Sequence, residues 1–441
     1  MAKKRAVRPS KPPSDRDGHA TSSHPDLPEW HEPVQRGSFI TKLERYVEKL
    51  RATDEHGNRK LFLDDVFIAY LLAFFNPSIR TLRTLEDFSQ TRQAQKHISI
   101  SKLCRTTLSD FNKIADPTRL GPIVEGLRTE LSRKCVGGRL PDELRALNKK
   151  ILAVDGTFLA AASDVAWAVC LRNQRLGQEA YRARFDWQVD IATFLPEVVV
   201  VPEPKESESE SAARNIVPDS ISIYDRGFVS FHLFAAYYHF DIKTNEPQPI
   251  ANFVVRLKKE SQGSPTPTME EVEARPLSEV AIAAKIKSDR IVRLPGLKLD
   301  KKVSVLMREV VLRGSDGEEL RLLTNLLSQD THIIALLYRY RWQVELFFKW
   351  LKSYANFNHM ISHSSEGILL NFYVVIIGVM LMYLHTGYRP SKYAMAMMST
   401  VGAHGGTLDE IMPILVERER QCEVARQSAA RRLAKKKLEQ K

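Results

Sequence analysis

Residues 338–352 read YRYRWQVELFFKWLK, and the spacing of their polar and apolar side chains is the most informative pattern in the chain. At about 100° per residue, four of its polar side chains fall within an arc of roughly 60° on the helix that the spacing predicts, and Lys349 borders this arc. The four are Tyr338, Arg341, Glu345 and Lys352. The adjoining face is apolar and is predicted to pack into a core. A surface salt bridge between Arg341 and Glu345 is a plainer reading, but it does not explain why a phenol and a lysine share the arc.

Two aspartates follow apolar runs that are predicted to be strands. Asp155 follows Ile151–Val154, and Asp225 follows Ile221–Tyr224. Alone, an aspartate at a strand end is more often a turn former than a metal ligand. Opposed to Glu345, however, the pair makes an all-oxygen site suited to Mg²⁺, with Mn²⁺ as an alternative. Two such ions about 4 Å apart support in-line phosphoryl transfer.

The net charge of +12 over 441 residues favours an acidic partner, with nucleic acid the first candidate. Ten of these twelve charges lie in residues 1–12 and 417–441, where they are either solvated or bound to phosphates. Inside the body, residues 281–313 carry a local +6. That stretch is either a solvated strand surface or a face that contacts DNA phosphates.

Composition and pattern divide the chain into six segments, within the two to four domains that its length suggests. Residues 1–37 are predicted to be a disordered basic arm without a signal peptide, and 38–148 a helical N-terminal domain that binds DNA. The others are the first part of an α/β catalytic core (149–257), a mainly β insertion (258–327), the rest of the core (328–390) and a helical basic C-terminal region (391–441).

Three further features of the sequence, an apolar run, the cysteines and a histidine pair, are weaker indications of function. The nearly uncharged run 368–384 is borderline for a membrane span, and a buried core helix is the preferred interpretation. Four scattered cysteines without a CxxC pair argue against a disulfide scaffold and favour a reducing compartment. His359 and His363 have the spacing of a zinc pair, but no third ligand is evident.

The chain resembles the DDE transposases of the insertion-sequence-four type, whose hallmark is a Tyr-Arg-Glu-Lys helix with this spacing. The resemblance is carried by residues 338–352, by Asp155 before Gly156, and by Asp225 in the run Tyr224–Phe228. It covers about 149–390. It implies a ribonuclease-H-like mixed-sheet core, interrupted between the second aspartate and the glutamate by a mainly β insertion.

The resemblance also implies the chemistry. Asp155 would bridge two Mg²⁺ ions, and Asp225 and Glu345 would each complete one shell. Six residues would contact DNA: Tyr338, Arg341, Lys352, Trp342, Lys349 and Arg226, with a salt bridge as an equal alternative for Arg226. The family cuts transposon ends and joins them to target DNA, in a complex of at least two protomers. We therefore expect transposon-end DNA, target DNA and a second copy of the chain as partners, in the bacterial cytoplasm, with no membrane.

Some relatives stack a flipped base on a tryptophan of the insertion, but none of the five tryptophans lies in 258–327. Trp342 borders the motif face, where it either stacks on a base or packs against the insertion. Two other functions stay open at this point. One is a ribonuclease-H-like nuclease without strand transfer, and the other is an inactive, transposase-derived DNA-binding protein.

Overall fold

The computed structural model describes most of the chain from residue 61 onward. The described residues are 47, 49–50, 61–134, 140–160, 169–173, 178–258, 268–314, 317–354, 361–386, 392–402 and 406–439, without 77, 93, 97, 99–100, 204, 242, 300–301 and 363. The predicted arm 1–37 and the His359–His363 pair lie outside these ranges.

Helices form both ends of the described chain, and shorter helices lie between the strands of its middle part. They are α1 (Leu63–Phe75), α2 (Leu82–Ser89), α3 (Arg105–Ile114), α4 (Gly121–Lys134), α5 (Asp142–Arg145), α6 (Glu208–Arg214), α7 (Phe231–Ala236), α8 (Glu279–Ala283), α9 (Thr331–Arg339), α10 (Trp342–Tyr354), α11 (Ser365–Thr386), α12 (Lys392–Gly402) and α13 (Leu408–Glu439).

The strands lie between α5 and α9. They are β1 (Lys150–Ala160), β2 (Val169–Asn173), β3 (Gln178–Asp190), β4 (Leu195–Val200), β5 (Ser220–Tyr224), β6 (Tyr238–Asp241), β7 (Glu246–Pro249), β8 (Asn252–Arg256), β9 (Glu270–Ala274), β10 (Ile286–Lys298), β11 (Lys302–Arg313) and β12 (Glu319–Thr324).

All but β6 and β7 form one ten-stranded mixed sheet in the order β2-β3-β1-β5-β8-β12-β11-β10-β9, with β4 paired to β3. β1 runs antiparallel to β3 and parallel to β5, and β5 runs parallel to β8. The five residues of β5, Ser-Ile-Ser-Ile-Tyr, are all buried because helices cover both faces of the sheet here. This arrangement confirms the predicted ribonuclease-H-like α/β core.

The predicted β insertion extends this same sheet. Its last strand, β12, pairs antiparallel with β8, so β9–β12 continue the core sheet outward. β11 and β12 pair antiparallel, and Gly317, which lies between them in sequence, has a φ of +83°, which favours glycine over any residue with a Cβ.

The apolar run 368–384 lies in helix α11, which packs against α1, α3, α4 and α13. The helix is long and apolar enough for a membrane span by composition alone, yet 78% of its window Glu366–Leu384 is buried inside the protein. The preferred interpretation, a core helix, therefore agrees with the packing.

The prediction of one continuous helix through residues 338–352 is wrong in one respect. The structure has two helices, α9 and α10, separated at Tyr340 and Arg341. The amides of Tyr340 and Arg341 bond three residues back, to Leu337 and Tyr338, which tightens the chain into a turn. Apolar spacing does not reveal such a break, because each of the two helices keeps its own apolar face.

Candidate active site

The site begins with a row of three residues across the central parallel strands. Ala153 of β1 is in register with Ile223 of β5, and Ile223 is in register with Val254 of β8. Two positions further along each strand are Asp155, Asp225 and Arg256. Because side chains alternate along a strand, these three share the sheet face of Ala153, Ile223 and Val254, which packs into the core that includes α9, α10 and α11.

Asp155 lies inside its strand, which corrects the prediction that it ends one. β1 continues to Ala160 because its antiparallel pairing with β3 runs on, whereas its parallel pairing with β5 stops at Ala153. Asp155 is therefore placed where β1 and β5 part. Asp225 is the first residue after β5, in an extended conformation. Both carboxylates thus face the crevice at the carboxyl ends of parallel strands, where open α/β sheets commonly bind ligands.

Tyr338 of α9 reaches this crevice. Its hydroxyl donates a hydrogen bond to Asp225 Oδ1 at 3.2 Å. Burial, together with the nearby Asp225 charge, raises the pKa of Tyr338 to about 12, so the phenol remains a proton donor at neutral pH.

Arg341, in the turn between α9 and α10, pairs with Glu345 one helical turn later. Arg341 Nη2 lies 2.6 Å from Glu345 Oε1, and the two side chains are 13% and 34% exposed. The guanidinium also acts electrostatically on Asp155 and Asp225. The alternative interpretation, a salt bridge between Arg341 and Glu345, is therefore present, and the same guanidinium lies within electrostatic range of both aspartates.

The electrostatics of Asp155 are those of a crowded acidic site. Burial is the main cause that raises the pKa of Asp155 to about 6, and the charges of Glu208 and Asp225 add to it. A hydrogen bond from the Gly156 amide to Asp155 Oδ1 at 2.9 Å opposes the rise. A group with this environment binds a cation readily, since a positive charge offsets the desolvation and the repulsion.

Two residues of this site, Glu208 and Arg256, were not predicted from the sequence. Glu208, at the start of α6, places Oε1 against Gly156, where an added Cβ would lie only 2.5 Å away, and its Oε2 lies near Gly227. Burial and the neighbouring Asp186 raise the pKa of Glu208. The capping pair Ser207 and Glu210, which predicts a helix start beside Glu208, was the available signal.

Arg256 is the second missed residue. It is the last residue of β8, partly buried, and its charge acts on the Tyr338 phenol. The sequence offers only an arginine that ends an apolar strand, and the strand register is what places it beside Asp225.

The carboxylates supply the oxygen donors that a divalent cation prefers, but the site is not preassembled. Within the described ranges, no three His, Cys, Asp or Glu side chains are close enough to hold a metal ion together. Glu345 engages Arg341, so it must exchange that partner before it can act as a ligand. The donor chemistry of Asp155, Asp225 and Glu345, three carboxylates, nevertheless fits Mg²⁺ or Mn²⁺.

The remaining predicted DNA contacts belong to helix α10 and to the turn that follows Asp225. Trp342 and Lys349 lie on α10 and are exposed, Trp342 by 56%. Arg226 is exposed in the short 3₁₀ turn that follows Asp225. Lys352 lies in α10, and its side chain is outside the described part of the structure.

The basic stretch 281–313 is less available to DNA than its charge count suggests. Three of its cations are paired: Lys287 with Glu319, Arg290 with Glu271 and Glu309, and Arg308 with Asp289. The register places the exposed Arg293, Lys298 and Lys302 toward the β10–β11 turn, at the sheet edge opposite the Asp225 crevice.

Comparison with known proteins gives three relatives and one family model. The model, described as a transposase DDE domain, matches residues 235–381, a segment that contains Glu345 and begins after Asp225. The y4zB protein of Sinorhizobium fredii, named as a transposase, is 31% identical over 94 residues, covering 21% of this chain and 26% of that protein. The transposase named for insertion sequence element IS5377 of Geobacillus stearothermophilus is 31% identical over 75 residues, covering 17% of this chain and 20% of that protein.

The third relative matches over a longer stretch. The transposase named for insertion sequence element IS4SA of Synechocystis is 21% identical over 289 residues, which is 63% of this chain and 71% of that protein. The chain spans about a quarter of the length of the Sinorhizobium relative and about a fifth of the length of the Geobacillus relative.

Proposed function

We propose that the chain is a DDE transposase, which cuts the ends of an insertion sequence and joins them to target DNA. The observation that carries the proposal is the convergence of Asp155, Asp225 and the Tyr338–Glu345 segment on one crevice. Such a crevice combines acidic oxygens with fixed cations, as phosphoryl transfer at a DNA backbone requires.

Members of this family use divalent metal ions, and Mg²⁺ is the proposed ion here, with Mn²⁺ as an alternative. Asp155, Asp225 and Glu345 would hold it. The bound ions would supply an activated water or 3′-hydroxyl and stabilise the leaving oxygen. The raised pKa of Asp155 keeps part of its population protonated near pH 6, so the carboxylate must lose that proton when it becomes a ligand.

The cations of the site are proposed to hold the scissile strand. Arg341 can offer a bidentate guanidinium to a phosphate once Glu345 is released. Arg256, at the end of β8 beside Asp225, extends this set of cations beyond Asp225. Both would orient the backbone while the carboxylates face the reacting phosphorus.

Helix α10 is proposed to complete the DNA contact. Lys349 and Lys352 would contact phosphates, and Trp342 would stack on a base near the cleavage point. Arg226, the residue directly after Asp225, would contact a further phosphate. The proposed partners are transposon-end DNA, target DNA and a second protomer within the DNA complex, in the bacterial cytoplasm and at the nucleoid when DNA is bound.

A joining assay tests the proposal. Purified protein is mixed with pre-cleaved duplexes that carry the DNA flanking its gene, a supercoiled target plasmid and Mg²⁺. The proposal predicts covalently joined products that depend on a free 3′-hydroxyl and disappear with EDTA. Cleavage of uncut ends without any joined product would favour a nuclease, and binding without either reaction would favour an inactive, transposase-derived DNA-binding protein.

A further inference from the structure

A fully buried ionic network connects the β insertion to the first turn of α9. Arg308 of β11 donates from Nε to Asp289 Oδ1 at 2.8 Å and from Nη2 to Asp289 Oδ2 at 2.5 Å. Both side chains are completely buried, and the pair is bidentate. Such a pair contributes little net stability relative to a well-packed apolar pair, so its geometry is the more informative property.

The network reaches out of the insertion to Thr331, the first residue of α9. Thr331 Oγ1 donates to Asp289 Oδ2 at 2.6 Å and accepts from Arg308 Nη2 at 2.9 Å. The preceding N-cap residue, Asp330, makes no side-chain capping bond among the described contacts. The start of α9 is therefore anchored by groups from β10 and β11, and it lacks the usual cap of its own.

The segment between β12 and α9 is held by the same insertion strands. Arg308 Nη1 donates to the carbonyl oxygens of Leu326, at 3.5 Å, and Gln329. Arg275, which follows β9, donates from Nη1 to the carbonyl oxygen of Leu327 at 2.6 Å. Both ends of this connection are thus fixed to the insertion.

Helix α9 extends from this anchored first turn to the crevice that contains Asp225. Tyr338 lies seven residues after Thr331, about two helical turns or roughly 10 Å along the axis. At that end its hydroxyl meets Asp225, and the chain turns into the Arg341–Glu345 pair. A change in the position of the first turn is transmitted along a rigid helix to the Tyr338 end.

We infer that Asp289, Arg308 and Thr331 are positioning residues, through which the β insertion sets the position of the Tyr338–Glu345 segment over the aspartates. The inference rests on the proposed function for its effect on DNA cleavage. Its effect on α9 itself is independent of that function. These residues touch neither DNA nor the reacting atoms, so they would act only through α9.

Thr331→Val tests the inference, because valine keeps the shape of threonine and removes only the hydroxyl. Thr331→Ser restores the hydroxyl and serves as the rescue variant. Glu309→Gln is the matched control. Glu309 neighbours Arg308 on β11 and is equally buried, but it bonds Arg290 and Arg321 on the other sheet face. All variants are examined in the full-length protein by thermal unfolding, gel-shift binding of end DNA in EDTA, single-turnover cleavage in Mg²⁺ and amide hydrogen exchange of residues 331–339.

For Thr331→Val we expect cleavage to slow by roughly tenfold to a hundredfold, since small misplacement of a reacting group has that effect. DNA binding should stay at the wild-type value, the unfolding midpoint should fall no further than that of the Glu309→Gln control, and exchange in the first turns of α9 should accelerate. Thr331→Ser should restore both cleavage and protection. Equal cleavage in Thr331→Val and wild type, equal losses in the Ser and Val variants, or unchanged α9 exchange would each overturn the inference.

The exchange arm also separates this inference from the proposed function. If the wild-type protein cuts no DNA, the proposed function fails, yet faster exchange of α9 in Thr331→Val with rescue by Thr331→Ser still supports the positioning role. If cleavage is intact and α9 exchange does not respond, the positioning role fails and the proposed function stands.

Discussion

The hydroxyl of Tyr338 donates a hydrogen bond to Asp225, across 113 residues of sequence. This bond joins α9 to the carboxyl end of β5 and brings the Arg341–Glu345 pair within electrostatic reach of both aspartates.

Removing this bond should impair catalysis without unfolding the protein. A hydrogen bond to a charged group contributes about 1.5–3 kcal/mol, so Tyr338→Phe should slow cleavage by roughly tenfold to a hundredfold. Single-turnover cleavage of end DNA in Mg²⁺ measures the effect. Tyr340→Phe, a partly buried tyrosine in the same segment, is the control and should cleave like wild type. Equal rates for the two variants would show that the Tyr338 hydroxyl has no role.

The pKa of Asp155 predicts how stability depends on pH. Because the folded-state pKa, about 6, exceeds the usual value of 3.8, the folded protein holds this proton more tightly than the unfolded chain. The resulting stabilisation is fully present below about pH 4 and is lost as pH rises through about 6. Two pKa units correspond to about 3 kcal/mol.

Asp155→Asn removes the buried charge and keeps an oxygen for the Gly156 amide. In EDTA at pH 8 this variant should therefore be more stable than wild type to urea, by up to about 3 kcal/mol, and the difference should vanish near pH 4. A stability difference that does not change between pH 4 and pH 8 would contradict the assignment.

Arg256 provides a test of whether the cations of the site contact DNA. If it contacts one phosphate, Arg256→Gln should weaken end-DNA binding for all sequences and reduce the salt slope of log K by about one unit. Fluorescence anisotropy over a salt series measures this slope. Lys243→Gln, in the exposed turn between β6 and β7, removes the same charge at a distance and is the control. Identical slopes for the two variants would remove Arg256 from the DNA contact.

The packing of the core helix α11 gives a prediction about stability alone. A Cβ on Gly378 would lie 2.6 Å from Cε1 of Phe74 in α1, so Gly378→Ala should destabilise the fold by about 1–3 kcal/mol through overpacking. Gly121→Ala is the matched control, since nothing lies within 4 Å of its added Cβ. Thermal unfolding of both variants measures the difference. A Gly378→Ala midpoint equal to that of the control would mean that α1 and α11 are packed less closely.

The sequence predicted those residues of the site whose positions follow from the local spacing of apolar and polar residues. The spacing of Tyr338 and Glu345 follows helical periodicity, and the apolar runs before Asp155 and Asp225 have the length and β-branching of strands. The sheet class followed from the same runs and is confirmed. The break at Tyr340 was missed because a turn tightened by i→i+3 bonds leaves the apolar spacing of its flanks unchanged.

The residues that sequence reasoning missed depend on contacts between distant segments. Arg256 joins the site only because β8 pairs with β5 in one register, and Glu208 because α6 folds over Gly156. Arg308 counted toward a basic surface in the sequence, whereas the fold buries it against Asp289. A charge count along the chain cannot separate a buried ion pair from a free cation, since the partner lies on another strand.

Cleavage at the element's own ends, measured for single substitutions of the three carboxylates, tests whether these residues form the catalytic triad. The substrate is a linear duplex that spans one end with its flanking DNA, and the variants are Asp155→Asn, Asp225→Asn and Glu345→Gln. We expect Mg²⁺-dependent strand cleavage by wild type, retained end binding in all three variants, and no detectable cleavage in any of them. Wild-type cleavage by Glu345→Gln, or by either asparagine variant, would contradict the assignment of Asp155, Asp225 and Glu345 as the catalytic triad.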